Sequence, residues 1–362
     1  MKTRSILMTT LCSLMLGMSF TACLEDDLEQ PELPIEPETY PAYILNEGLW
    51  GANNANITRF YPQYKIDNLS DFYQEMNGTK MGDVANAMME EDDNIFVVLN
   101  GSKYVARLDL LCMEQARYTF PSTDGDPRCI DVEDGFAYVT QYGGQVTKLN
   151  TKDMTLVGTF KGGDNLEGIV EKNGKLYVAN SYKGINEYNK EVFVIDAKTM
   201  TLEKTIEVVE NPTKIYEIND KIYLISAGNY DDVPGALQII DTQNNMVRTI
   251  LNDVTKITEG HNGVIYGVRS TYDENWQLTN SFFLYSPKAD EVSHTSFLKD
   301  APSSFATDAI YMLEVDEETG FIYVGTSDYT TNGTIYQFDQ SGKFVQSFDS
   351  GGINPSAMVF MD

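Results

Sequence analysis

The 362-residue chain is poor in the residues that most catalytic and metal sites require. It has two histidines, His261 and His294, and four cysteines. That leaves little material for a histidine-rich metal site or a serine–histidine triad. Cations are also scarce, with 26 Lys and Arg against 54 Asp and Glu, a formal charge of −28. Nucleic-acid affinity depends on cations that neutralise phosphates, and adhesion to anionic lipid needs basic clusters, so both are disfavoured. No apolar run reaches the roughly 20 residues of a membrane-spanning helix. No stretch of 12 residues carries a helical period. What is abundant is apolar and aromatic surface, 42% and 11% of residues, enough to bury a large core and to exclude disorder for most of the chain.

The ends differ in kind. Lys2 and Arg4 precede a 15-residue, largely apolar run at residues 6–20, and small residues follow it, so residues 1–22 read as a secretory signal. The Phe20-Thr21-Ala22-Cys23 end resembles a bacterial lipobox, which implies acylation of Cys23 and an anchor in the outer membrane. The alternative is an ordinary cleaved signal in which Cys23 is incidental. Leu24-Glu25-Asp26-Asp27 is similar to the surface-export signal of Bacteroidetes lipoproteins. Residues 23–39 carry Pro31, Pro34 and Pro37 among seven carboxylates and read as an extended acidic tether. Residues 40–362 remain as the globular part.

That part repeats. A short apolar strand with an aromatic second residue recurs at Tyr43, Phe96, Tyr138, Tyr177, Tyr223, Tyr266 and Tyr323, at intervals of 39 to 57 residues. Polar turns such as Lys172-Asn173-Gly174-Lys175 precede these anchors, and second strands ending in Asp or Asn follow, as at Asp109, Asn150, Asp196, Asp241 and Asp339. Four short strands per repeat is the spacing of a propeller blade, so the expected fold is an all-β, seven-bladed β-propeller. Inner strands are expected at residues 84–90, 128–132, 166–171, 213–218, 256–259, 309–314 and 355–360. The last has no blade behind it and the first blade lacks an inner strand, so pairing the two closes the ring and removes two exposed edges. A β-sandwich array would leave that complementary deficit unexplained.

Up-and-down strands bring the loops between second and third strands to one face, together with the blade-to-blade loops. Every such loop carries an aromatic four to eight residues past its anchor: Trp50, Tyr104, Tyr142, Tyr182, Tyr230, Tyr272 and Tyr329. A long sixth loop, residues 272–280, adds Trp276. Aromatics combine large contact area with few rotatable bonds, so this ring is the expected binding face. Packing of strand-end tyrosines on neighbouring blades is the competing explanation. Asn, Ser and Gly surround the ring, Asn, Ser and Tyr are the expected donors, and Asn53, Arg128 and Lys214 are expected polar ligand contacts. Asp83, Asp126, Glu167, Lys256 and Asp308 join them at the mouth, to bind polar substituents or to pair with one another. Cys112 and Cys129 fall at opposite faces, so two free thiols are expected, because bridged Cα atoms must lie within about 7 Å.

The opening Leu45-Asn46-Glu47-Gly48-Leu49-Trp50-Gly51-Ala52-Asn53-Asn54 resembles that of the YncE-like, surface-layer type propeller lipoproteins of Bacteroidetes, and within them the cobalamin-binding BtuG type. The resemblance implies a non-enzymatic, lipid-anchored protein at the cell surface. It would capture cobalamin (vitamin B12) or a related corrinoid and hand it to a TonB-dependent transporter of the BtuB type. Cobalamin is then a bound ligand rather than a cofactor. No metal ligation by the protein is implied, since His261 is expected in a turn on the far face and His294 on an outer strand. Two other classes stay open: a calcium-dependent, lactonase-like enzyme using Glu167, Asp83 and Asp308, and a structural or protein-interaction propeller.

Overall fold

A computed structural model describes residues 40–62, 68–260 and 263–361. Cys23, the signal and the tether lie outside these residues, as does His261. Residues Thr39–Asp362 form one compact unit, a seven-bladed β-propeller. Six blades are antiparallel four-stranded sheets in simple up-and-down order. Their inner strands are Ala85–Glu91, Pro127–Glu133, Leu166–Lys172, Pro212–Ile218, Val254–Glu259 and Ala309–Val315. The first blade consists of Pro355–Phe360, Ala42–Asn46 and Asn56–Phe60. Its closing pair runs from Ala42↔Phe360 to Asn46↔Pro355, so the C-terminal strand is the inner strand of the first blade, as the repeat pattern requires. Among the described residues this blade has no fourth strand. Leu69 makes a single bridge to Arg59, and the short helix Phe72–Asn77 packs beside it with Phe72 and Tyr73 buried.

The turn chemistry follows from the sequence. In blades two to five the inner and second strands are joined by two-residue turns with both residues at positive φ: Asp92-Asp93, Asp134-Gly135, Asn173-Gly174 and Asn219-Asp220. Such turns match the right-handed twist of a hairpin and select Asn, Asp and Gly. The recurrent Asp or Asn after each third strand closes the next turn with its side chain. Asp109 Oδ1 accepts from the N–H groups of Leu111 and Met113, and Asp339 Oδ1 from Ser341 and Lys343. Local side-chain bonding of this kind is why these residues recur at turns.

Six of the seven anchors are buried, and Tyr266 is half-buried against Phe297 at 4.8 Å. The buried apolar residues form seven clusters, one at each blade interface. For example, Tyr43, Phe72, Leu99 and Tyr104 lie between blades one and two, and Ile44, Met312, Tyr323 and Ile335 between blades seven and one. Flat blades with apolar faces leave no central core, so stability resides between blades and depends on ring closure.

Two features were not legible beforehand. In every blade the register between inner and second strand shifts near the upper face, for example across Pro127/Ile130, Leu166/Ile169 and Ile310/Met312. A bulge re-aims side chains and increases local twist, and here it does so where the inner strands reach the mouth. The hairpins of blades four and six are also longer than expected. Lys175–Gly184 pairs with Glu187–Asp196, and Ile265–Tyr272 with Leu278–Ser286. The expected long loop at 272–280 is therefore a ladder that continues to Tyr272↔Leu278, with a turn at residues 273–277.

Candidate functional site

The hairpin loops and the blade-to-blade loops share the upper face and are tied together by main-chain bonds, such as Tyr142 N–H to Asp126 O and Ala227 N–H to Asn211 O. Five of the expected aromatics, Trp50, Tyr230, Tyr272, Trp276 and Tyr329, are between 54% and 75% exposed. Tyr142 and Tyr182 are half-buried and meet edge to face at 5.7 Å. Tyr104 departs from the expectation at 4% exposed. Its hydroxyl donates to the Met81 carbonyl and its ring lies 4.0 Å from the Arg117 guanidinium, so it belongs to the interface of blades one and two.

Three exposed aromatics occupy left-handed backbone: Tyr230 at φ 59°, Trp276 at φ 58° and Tyr329 at φ 63°. This is uncommon for a bulky residue and costs on the order of 1–3 kcal/mol. Neighbouring side chains hold each turn. Asn229 Oδ1 accepts from Asp231 and Val233 N–H, Asp273 Oδ1 from Asn275 and Gln277, and Asp328 Oδ1 from Thr330 and Thr331. The outward aromatic is thus built into the turn. Further ring contacts enlarge the surface: Tyr188 meets Tyr230 at 5.8 Å, Tyr272 meets Trp276 at 6.2 Å, and Tyr311 meets Tyr329 at 5.9 Å. Tyr188 and Tyr311 went unread in the sequence. Tyr188 lies on the hairpin extension opposite Tyr182, and Tyr311 sits in a bulge. Between blades five and six the face opens into a groove of about 770 Å³ whose rim includes Tyr230, Tyr272 and Trp276. That is within the range of small-molecule sites.

The amides around the ring are a correction. Asn46, Asn100, Gln141, Asn180 and Asn280 are buried and clamp neighbouring segments. Asn46 donates to Ser350 O, Asn100 to Pro127 O and Gln141 to Asp124 O. Asn280 donates to the carbonyls of Phe305 and Asp308. A buried amide must find partners, and these find them in the strand connections rather than in a ligand.

The mouth charges are largely engaged with one another. Arg128 bonds Glu167 at 3.1 and 3.3 Å and lies 4.6 Å from the Tyr142 ring, and the Tyr142 hydroxyl donates to the same carboxylate at 2.5 Å. Burial, reinforced by Glu167, pushes the Tyr142 phenol far up. Lys103 pairs with Asp126 at 2.7 Å. Asp83 caps the first loop, accepting from Gly51 and Asn53 N–H. Lys214 and Lys256 differ: among the described residues neither makes an ion pair.

The opening motif now has a physical reading. Asn46 clamps the ring closure, Glu47 accepts from the Tyr311 hydroxyl at the mouth, and Asn54 holds Leu49 N–H at 2.9 Å. Gly48 is at φ 78°, where a Cβ would meet Asn54 Oδ1 at 2.7 Å. Trp50 is left facing solvent. Asn53 lines a separate polar cavity of about 380 Å³ with Ser70, Lys80 and Asn332. Cys112 and Cys129 are free thiols, and burial pushes both up. His294 is exposed just beyond the outer strand Glu291–Ser293. Among the described residues no helix is long and apolar enough to cross a membrane.

Solved structures share the architecture at low identity. A streptogramin B lyase matches at 12% identity with a TM-score of 0.55, covering 85% of this chain and 87% of that one. Hydrazine synthase of Kuenenia stuttgartiensis matches at 17% and 0.55, covering 68% and 74%. The U3-55K structure matches at 9% and 0.53, covering 73% and 81%. At these identities the likeness concerns the fold. No curated protein matches the chain. A family model described as a domain of unknown function matches residues 40–220, half of the chain, and the protein belongs to this DUF5074 family.

Proposed function

We propose that the upper face of this propeller captures a large, flat, amide-fringed molecule, and that cobalamin or a related corrinoid is the ligand. The observation that carries the reading is the set of five exposed aromatics on one face, three of them on left-handed turns fixed by neighbouring side chains. Bulky residues are held in such backbone when the surrounding structure over-determines them, and these positions cluster at binding sites. Rigid aromatics suit a broad disc, and their hydroxyl and indole groups can bond its amides. The lipobox-like Cys23 and the acidic tether support anchorage at the cell surface, from which the ligand would pass to a TonB-dependent transporter of the BtuB type. A lactonase-like enzyme is the weaker reading, because Glu167 and Asp83 already have partners at the mouth. An interaction propeller draws on Ile185, 94% exposed at the tip of the fourth hairpin.

Calorimetric titration of the mature protein with cyanocobalamin tests the proposal. Saturable binding that weakens in Trp276→Ala and Tyr230→Ala is expected. Absence of both a binding heat and a shift in melting temperature would remove the corrinoid reading, leaving the interaction propeller.

A further inference from the structure

The lumen of the propeller holds a pair of like charges that the face above does not use. Lys214 and Lys256 stand on adjacent inner strands, just below the mouth, in a cavity of about 320 Å³ lined also by Tyr216, Thr258, Tyr311 and Glu314. Lys214 is exposed to the lumen and Lys256 half-buried, yet both are enclosed by the ring of inner strands. Both side chains line the same cavity. The contrast with Arg128 is informative. That cation, two blades away from Lys214, has a carboxylate and a tyrosine ring as partners. Lys256 lies 5.5 Å from the Tyr311 ring, but neither lysine pairs with Glu314, whose carboxylate accepts from the Thr258 hydroxyl. Burial and the neighbouring Lys214 push the Lys256 amine well below its usual range.

We propose that Lys214 and Lys256 form a binding site for one oxyanion, a phosphate or carboxylate group, in the upper lumen. A bound anion offsets the mutual repulsion and holds both amines protonated, and two ammonium groups then offer up to six N–H donors to its oxygens. A chain with so large a negative charge gathers few anions at random, so a local pair of cations is required for one to lodge. Lower in the lumen Glu217, Glu259 and Glu314 repel an anion and keep it at the level of the lysines. Tyr311 of the same cavity meets the exposed Tyr329 at 5.9 Å, so the anion enters either as a free ion or as a substituent of a larger molecule seated above. The inference does not depend on that molecule being a corrinoid.

The test titrates inorganic phosphate and phenyl phosphate separately into the mature protein, followed by phosphorus NMR line width and by melting temperature. Saturable binding of inorganic phosphate is expected, weakened about tenfold or more in Lys214→Gln and in Lys256→Gln, with Lys204→Gln as the outer-strand control. Circular dichroism checks that the variants are folded, and the wild-type titration stands by itself should one fail. Tighter binding of phenyl phosphate, reduced by Tyr230→Ala, supports the site as the anchor of a face-bound ligand. Equal affinity for the two probes supports it as a free-ion site. Wild type that binds neither probe, or folded lysine variants that bind both as wild type does, overturns the proposal.

Discussion

The hairpins of blades two and six each carry a tyrosine where the second strand gives way to the third, and the two residues have opposite fates. In blade two the ladder ends at Leu99↔Tyr104, so Tyr104 opens the third strand and turns into the blade interface. In blade six the ladder runs on to Tyr272↔Leu278, and Tyr272 stands above the disc beside Trp276. Spacing from the anchor, eight residues against six, does not separate them. The length of the hairpin does. Positions within the paired disc hold the ring together, and positions carried above it are free to meet a ligand.

The ring-holding class can be broken most severely at closure. Removing residues 354–362 takes away the inner strand of blade one, and with it Asn354, which bonds Ser327 and Gly48 O. The strand Ala42–Asn46 is left with an unpaired edge, and loss of cooperative unfolding by calorimetry is the expected outcome. A truncated chain with an unchanged transition would contradict this topology.

Next comes the direct contrast. Tyr104→Ala should destabilise the protein by about 3 kcal/mol or more, as large-to-small changes of buried aromatics do. Tyr104→Phe should cost about 1 kcal/mol for the lost bond to Met81. Tyr272→Ala should change stability by less than about 0.5 kcal/mol, as exposed positions do. It should instead weaken ligand binding by about tenfold, or about 1.4 kcal/mol. Denaturant melts and calorimetry on the same three variants decide whether stability and binding separate in this way.

How far the sequence could be read follows the same division. The seven anchors, the turn residues and the missing inner strand are imposed by local backbone demands and by period-two burial, so composition and spacing reveal them. The fates of Tyr104, Asn46 and Asn100 depend on what the next blade offers, and no local signal carries that. The bulges were equally silent, because a one-residue register shift leaves alternation nearly intact. Tyr311 therefore reads as an inner-strand residue and Lys214 and Lys256 as charges of the mouth, with the cavity they share in the lumen hidden. The left-handed turns were half legible: Asn229, Asp273 and Asp328 stand one to three residues before their aromatics, the spacing at which a side chain can cap a turn.

The smallest effect sharpens the comparison from below. Asp131 lies on the inner strand of blade three toward the lower face and accepts from Glu171 N–H at 2.5 Å. Burial, with help from Glu171, Glu133 and Glu217, pushes its carboxyl up to about 7 from 3.8. The native state therefore holds the proton more tightly than the unfolded chain between these values. The stabilisation this gives is complete below about pH 4 and lost as pH rises through 7. Glu314, pushed up to about 7 by burial, acts in the same sense. The melting temperature should thus fall by a few degrees between pH 5.5 and 8, in addition to any general charge effect. Asp131→Asn keeps an acceptor for Glu171 N–H but cannot ionise, so it should melt higher than wild type at pH 8 and flatten the slope. Because Asp131 lies in the disc and far from the raised hairpins, its removal should leave the affinity of the aromatic face unchanged. A variant that lost ligand binding along with its pH dependence would show that the wall of the lumen and the face above it act as one site.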